Sequence, residues 1–173
     1  MTVCVISDSH GYIGKDALKH INDSDIVLHA GDVGPIECLD EIQPRKKLIA
    51  VYGNIDDHKV RAEYPEYHMV TLNGYKILMI HIAGKPGYYN PRTKELIQSL
   101  RPNMLVCGHS HILKIQYYKN KGLLHINPGA IGVYGMHKQR TLLKFKVEKG
   151  VAKEMFVVDL GERKLPDTID RLQ

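Results

Sequence analysis

The sequence predicts an α/β protein in which two sheets pack face to face with helices outside. Three observations carry this. Short, apolar, β-branched runs alternate with helical stretches through the first third of the chain. An Asn-Gly pair separates two strand-like runs in the middle. The last third is almost all strand-like, broken by turn residues. Alternating strands and helices indicate parallel βαβ units with right-handed crossovers. A strand-rich second half adds antiparallel pairs, and layers on both sides are needed to bury all these runs.

Residues 2–7 are apolar and β-branched, as expected of a strand buried on both faces. A polar loop at 8–14 leads to a helix at 15–22, where Ala17, Leu18 and Ile21 make an apolar stripe. Residues 25–29 form a second buried strand, and Pro35 suits the first turn of a helix at 36–42. A third strand covers 47–52. Runs at 68–72 and 75–80 flank Asn73-Gly74, residues that tolerate positive φ and so predict a hairpin. A Gly/Pro-rich loop precedes a helix at 92–100 and a strand at 104–107. Further strands are expected at 112–118, 123–126, 140–147 and 151–158, with turns at Asn120, Gly122 and Gly150. The tail from about 162 is polar and peripheral.

The 173 residues fit one domain, 1–173. Hydrophobic (43%) and charged (25%) fractions are those of a globular chain, which excludes a disordered or fibrous one. The net charge of +5 is spread out, and the densest basic stretch, Arg45-Lys46-Lys47, is too short for a dedicated nucleic-acid surface. Cys4, Cys38 and Cys107 are too few and too scattered for a disulfide framework, so a reducing compartment is expected. No signal peptide is apparent, and no apolar stretch approaches the ~20 residues of a membrane span. A soluble, cytoplasmic protein with no membrane partner is the expectation. Oligomeric state is left open, a homo-oligomer included.

Metal-ligating residue types recur where buried strands end. The first strand gives Asp8 and His10, the second Gly31-Asp32, and the third Gly53-Asn54. The hairpin gives His81, and the strand at 104–107 gives Gly108-His109-Ser110-His111. Ligands of open α/β sheets bind at the carboxyl ends of strands, so these segments should converge on one edge. Imidazole suits Zn, Fe, Ni and Cu, while carboxylate and amide oxygens suit Mn and Mg. A catalytic zinc uses about three protein ligands, and this larger set suffices for two ions sharing a bridge. Gly31, Gly53 and Gly108 leave room for the backbone to turn closely there. Taken singly, each piece reads as a cap, a turn or a half-buried histidine. The ordered set is what points to metal.

The motifs Asp8-Ser9-His10, Gly31-Asp32, Gly53-Asn54-Ile55-Asp56, His81 and Gly108-His109-Ser110-His111 resemble those of the calcineurin-like metallophosphoesterase superfamily. Leu28-His29-Ala30-Gly31-Asp32, Asn127-Pro128-Gly129 and the small size are similar to its compact YfcE-type phosphodiesterase branch. That branch in turn resembles Vps29, a scaffold subunit on the same fold. The resemblance implies a four-layer α/β/β/α sandwich of two mixed sheets flanked by helices. It implies that Asp8, His10 and His111 hold one divalent ion, that Asn54, His81 and His109 hold another, and that Asp32 bridges them. Manganese comes first among the implied ions, with Zn, Fe, Ni or Mg as alternatives.

The implied reaction is hydrolysis of a small phosphodiester by in-line attack of a hydroxide shared between the ions. Asn54 and His109 would help position the phosphoryl group. Larger phosphatases of the superfamily place a leaving-group acid where this chain has Ile55, which leaves nearby His58 as a candidate acid. After His81 the chain has Ile82-Ala83-Gly84 where the branch often has Gly-His, and Lys85 to Asn90 is expected to wall the pocket. His29 and Asn127 are candidates to orient ligands through hydrogen bonds, and His125 is weighed with them. His20, His68 and His137 read as plain surface or loop residues. The rival is a metal-binding scaffold or interaction module with weak or no catalysis. Its mark would be lost histidine ligands, and this chain keeps all four. A nuclease subunit would need basic or dimerising additions that the sequence lacks.

Overall fold

The computed structural model describes residues 1–42 and 46–164; Arg45 and the tail beyond 164 lie outside the described residues. The elements run β1 (Thr2–Ile6), α1 (Lys15–Asn22), β2 (Ile26–His29), a 3₁₀ helix (Ile36–Glu41), β3 (Lys47–Ala50), α2 (His58–Glu63), β4 (Tyr67–Leu72) and β5 (Tyr75–Ile80). They continue with β6 (Gly84–Lys85), β7 (Tyr88–Tyr89), α3 (Pro91–Leu100), β8 (Met104–Val106), β9 (Lys114–Tyr118), β10 (Leu123–Asn127), β11 (Gln139–Glu148) and β12 (Val151–Glu162).

Two mixed five-stranded sheets result, in the orders β12-β11-β1-β2-β3 and β4-β5-β8-β10-β9. In the first, β1, β2 and β3 are parallel while β11 and β12 run antiparallel. In the second, β5, β8 and β10 are parallel and β4 and β9 antiparallel. Strand periodicity assigns the faces. Val3 and Val5 meet Ile77, Met79 and Phe145 between the sheets. Cys4 and Ile6 face the other way, onto Ala17 and Ile21 of α1. On the far side, Leu78 and Leu105 pack against Leu96 of α3. The layers are therefore helix, sheet, sheet, helix. Among the described residues no helix is long and apolar enough to cross a membrane.

Local departures from the sequence reading have physical causes. The segment after Pro35 is 3₁₀, with Leu39 its one buried residue, so no apolar stripe supports a longer α-helix. α2 went unread because it is one and a half turns long. It is held by Val60 in the core and by Asp57, whose carboxylate accepts from the Lys59 and Val60 amides. The loop after His81 contains the β6–β7 hairpin, and Asn90 then caps α3 by accepting from Thr93 N at 2.8 Å.

Candidate metal centre

Parallel pairing brings the carboxyl ends of the strands together. Because Ile6 pairs with His29, the loops after β1 and β2 run side by side. Asp8 N donates to Gly31 O and His10 N to Asp32 O, each at 3.0 Å. In the second sheet Met79 pairs with Val106, and Gly108 N donates to His81 O at 3.1 Å. The two sheets are tied at this edge, because His109 N donates to Asp8 Oδ1 (3.1 Å) and Oδ2 (3.2 Å). Asp8, His10, Asp32, His109 and His111 all adopt positive φ, between 47° and 69°. A Cβ at Gly53 would collide with the Asp32 carboxylate, and one at Gly108 with Ser7 and Asp8. These two glycines therefore permit the close approach of the strand ends.

Hydrogen bonding fixes which atoms face the centre. His81 Nδ1 lies 2.7 Å from the Ala30 carbonyl. A carbonyl only accepts, so Nδ1 carries the proton and Nε2 keeps its lone pair in the neutral ring. That Nε2 lies 3.2 Å from both Asp32 Oδ1 and Asn54 Oδ1. Three acceptors thus point at one another. The other half repeats the pattern. His137 Nε2 donates to Gly132 O (3.1 Å), so its Nδ1 accepts from His111 Nδ1 (3.1 Å). This leaves the lone pair of His111 Nε2 facing Asp8 Oδ1 at 3.2 Å and His10 Nε2 at 3.3 Å. His10 Nε2 is 3.8 Å from Asp32 Oδ2.

Ligand atoms of Asp8, His10, Asp32 and His111 lie within 4.8 Å of one another, as do those of Asp32, His81 and His109. Asp32 belongs to both groups. The electrostatics favour positive charge here. Burial works to lower the His81 pKa, but the Asp32 hydrogen bond and the Asp8 and Asp32 charges prevail and raise it. Burial works to raise the Asp32 pKa, and its bonds to His81 and to Ile55 N–H bring it down on balance. Around His81 and Asp32 a positive charge is thus favoured, while burial lowers the His10 pKa in the other half. The donor set fits divalent ions: converging lone pairs and two buried carboxylates.

The supporting residues act through backbone. His29 Nδ1 accepts from Gly31 N (3.2 Å), so its Nε2 donates to Ser9 Oγ (2.8 Å), and Ser9 passes its proton to Val33 O (3.0 Å). His29 therefore ties the Asp8–His10 loop to the Asp32 loop rather than touching a ligand side chain. Asn127 Nδ2 donates to Gly108 O (2.7 Å) and Ser110 Oγ (3.1 Å), which clamps the His109–His111 loop. His125 bonds Tyr89 (3.2 Å) and not the cluster. His58 stands exposed at the start of α2, and no hydrogen bond or ion pair among the described residues links it to the centre.

Three residues with structural roles here escaped the sequence reading. His137, taken there for a plain surface or loop residue, holds the His111 ring. Asp56 accepts from Gly53 N (2.7 Å) and Gly34 N (2.9 Å), joining the Asn54 and Asp32 loops. Arg61 on α2 donates to the Gly53, Asn54 and Asp56 carbonyls. Only Asp56, inside the Gly53–Asp56 motif, had a signal that could have found it.

Comparison with known proteins bears on the family and the fold. Residues 1–150 match the profile of the calcineurin-like phosphoesterase superfamily domain. A protein described as a probable metallophosphoesterase of Methanocaldococcus jannaschii is 29% identical over 136 residues, covering 75% of this chain and 68% of that protein. Among solved structures, an archaeal phosphodiesterase superposes with a TM-score of 0.72 at 21% identity, over 92% of this chain and 100% of the other. Entamoeba histolytica Vps29 complexed with zinc gives 0.72 at 19% identity, over 92% and 99%.

Proposed function

The chain belongs to the calcineurin-like phosphoesterase superfamily, and on that footing we propose that it is a dinuclear metal-dependent phosphodiesterase acting on a small phosphodiester. The observation that carries the reading is the convergence of His81 Nε2 with the Asp32 and Asn54 oxygens, mirrored by His111 Nε2 with Asp8 and His10. Lone pairs held this close are satisfied by a cation between them. In this reading Asp8, His10 and His111 hold one ion, Asn54, His81 and His109 the other, and Asp32 both. The set mixes four imidazoles with three oxygen donors, so manganese is put first and compared with zinc, iron, nickel and magnesium.

When bound, the ions supply a water-derived nucleophile at neutral pH and neutralise charge on the phosphoryl oxygens. The protein's part is to hold geometry. Asp8 is fixed by His109 N–H, Asp32 by Ile55 N–H (3.1 Å) and His81 by Ala30, so little reorganisation accompanies reaction. Asn54 and His109 are exposed at the rim, where they can meet a phosphoryl group. The phosphodiester preference takes support from the archaeal phosphodiesterase with the same fold.

The test is to strip the protein with chelator, restore each ion separately, and assay bis(p-nitrophenyl) phosphate beside p-nitrophenyl phosphate. Metal-restored diester turnover that His81→Ala abolishes is the expected result. Two bound ions with no turnover on either compound would overturn it.

A further inference from the structure

A cavity of about 700 Å³ opens beside the centre and shares Gly108 and His109 with it. Its size is that of a pocket for an organic ligand. It is lined by Ile82, Ala83 and Pro86 of the segment after β5 and by Ile112 and the start of β9. His125 is the buried ring among its lining residues. His125 is 2% exposed, stacks on Tyr89 at an interplanar angle of 21°, and is fixed by the Tyr89 hydroxyl at Nδ1 and by Cys107 at Nε2. Burial first, and Lys114 second, push the His125 pKa down to about 4, so this ring carries no charge at neutral pH. Among the described residues no carboxylate lines the cavity, while Lys85 and Lys114 do.

The hollow on the other flank of the centre, beside Asn54 and His81, is different. Its volume is about 400 Å³ and its cations are already engaged. Arg61 is committed to three carbonyls, and Arg92 pairs with Glu66 and Glu95. Of these two hollows, the one beside Gly108 and His109 is the apolar one, with no carboxylate among its described lining residues.

We propose that the cavity between Ile82, Pro86 and Ile112 is the subsite for one ester arm of the substrate, and that this arm is a planar aromatic group. Apolar walls cover the faces of such a ring, while Gln116 and the two lysines offer donors to its polar edge or to an attached anion. The inference rests on the phosphodiesterase reading for the placement of the phosphate. It adds the chemistry of the arm.

Two measurements test it apart from that reading. The first follows the Ile82, Ala83 and Ile112 methyl resonances of the zinc-loaded protein, titrated with diphenyl phosphate and, as control, dimethyl phosphate. Shifts with the diphenyl ester alone are expected. Their absence at millimolar concentration would overturn the subsite, whatever the turnover. The second compares kcat/KM for phenyl, thymidine and methyl p-nitrophenyl phosphates. The aromatic arms should be favoured by roughly tenfold or more, and Ile112→Asp should collapse that ratio. Ile112 is 67% exposed, so this substitution leaves the core untouched. A thymidine ester well ahead of the phenyl ester would identify a nucleoside arm, and parity a simple aryl arm. Equal rates on all three, unchanged in the variant, would refute the subsite and leave the hydrolase standing. Methyl shifts without turnover on any ester would do the reverse.

Discussion

Replacing Asp32 with asparagine tests whether one carboxylate serves both halves of the centre. In the metal-free protein the change should be mild. Asp32 Oδ1 accepts from Ile55 N–H at 3.1 Å, a bond that an amide oxygen can take over. The new NH₂ would then face His10 Nε2, now 3.8 Å from Oδ2. What is lost is the charge on the acceptor and the pairing with His81, on the order of 1 kcal/mol each. A domain of this size moves its Tm by about 2–4 °C per kcal/mol, so the metal-free variant should melt within several degrees of the wild type. The loaded proteins should differ far more. Free ion at about a hundredfold over Kd stabilises by ~2.7 kcal/mol per site, or roughly 5–10 °C. Removing the shared anion weakens both sites at once, so most of the metal-dependent shift should vanish. Paired melts, with chelator and with metal, read this directly, and elemental analysis counts the ions. A variant that keeps both the wild-type shift and two ions would refute the shared role.

His137→Ala should lower metal affinity by roughly tenfold or more, the usual weight of a partner that orients a ligand. His137→Gln should recover part of it, since an amide oxygen can accept from His111 Nδ1. Unchanged affinity of the alanine variant in chelator competition would show that His111 is oriented without help. Acid stability should carry a mark of His29, whose pKa burial drives from 6.5 to about 4. Between those values the unfolded chain takes up a proton that the fold refuses. This stabilisation is therefore complete above the unfolded value and fades as pH falls through the folded one, by roughly 3 kcal/mol in all. His29→Gln should flatten that limb of the metal-free denaturation profile, and identical slopes would contradict the assignment. His58→Ala should leave diester turnover within about twofold, as an exposed change away from the centre does. A loss of tenfold or more would restore it as the leaving-group acid.

Strands, the hairpin and the converging strand ends were legible because buried strands and Asn-Gly turns write themselves in local pattern. The strands that carry Val3, Val5, Ile77 and Met79 read as unbroken apolar runs before any contact is known. What was hidden is what depends on partners distant in the chain. Nothing near His137 announces that Gly132 and His111 will claim its two nitrogens. Arg61 sits on a helix too short to show a period, and its partners are carbonyls, which every residue has. The Asp8-x-His10 and His109-x-His111 spacings did mark loops whose side chains converge. They do not work by strand alternation, however, since all four residues have left-handed backbones.

That backbone is itself an argument for the site. A left-handed conformation costs a residue with a side chain on the order of 1 kcal/mol, and aspartate and histidine are among those that bear it best. Five such residues amount to ~5 kcal/mol, comparable with the net stability of a small domain. Glycine relieves the same strain in these same loops, at Gly11 (φ 81°), Gly31 (94°) and Gly34 (86°). Within the loops after β1, β2 and β8, every described residue with positive φ is either a glycine or one of Asp8, His10, Asp32, His109 and His111. The strain is thus carried only where a side chain is needed. It persists because the backbone is pinned from several sides: Asp8 N to Gly31, Asp8 O to Gly132 N, His10 N to Asp32 and His109 N to Asp8. Positive φ alone marks no site, since Glu154 adopts it (50°) in β12; what sets these loops apart is that the five such residues are all carboxylates or imidazoles and offer their polar atoms to two tight groups.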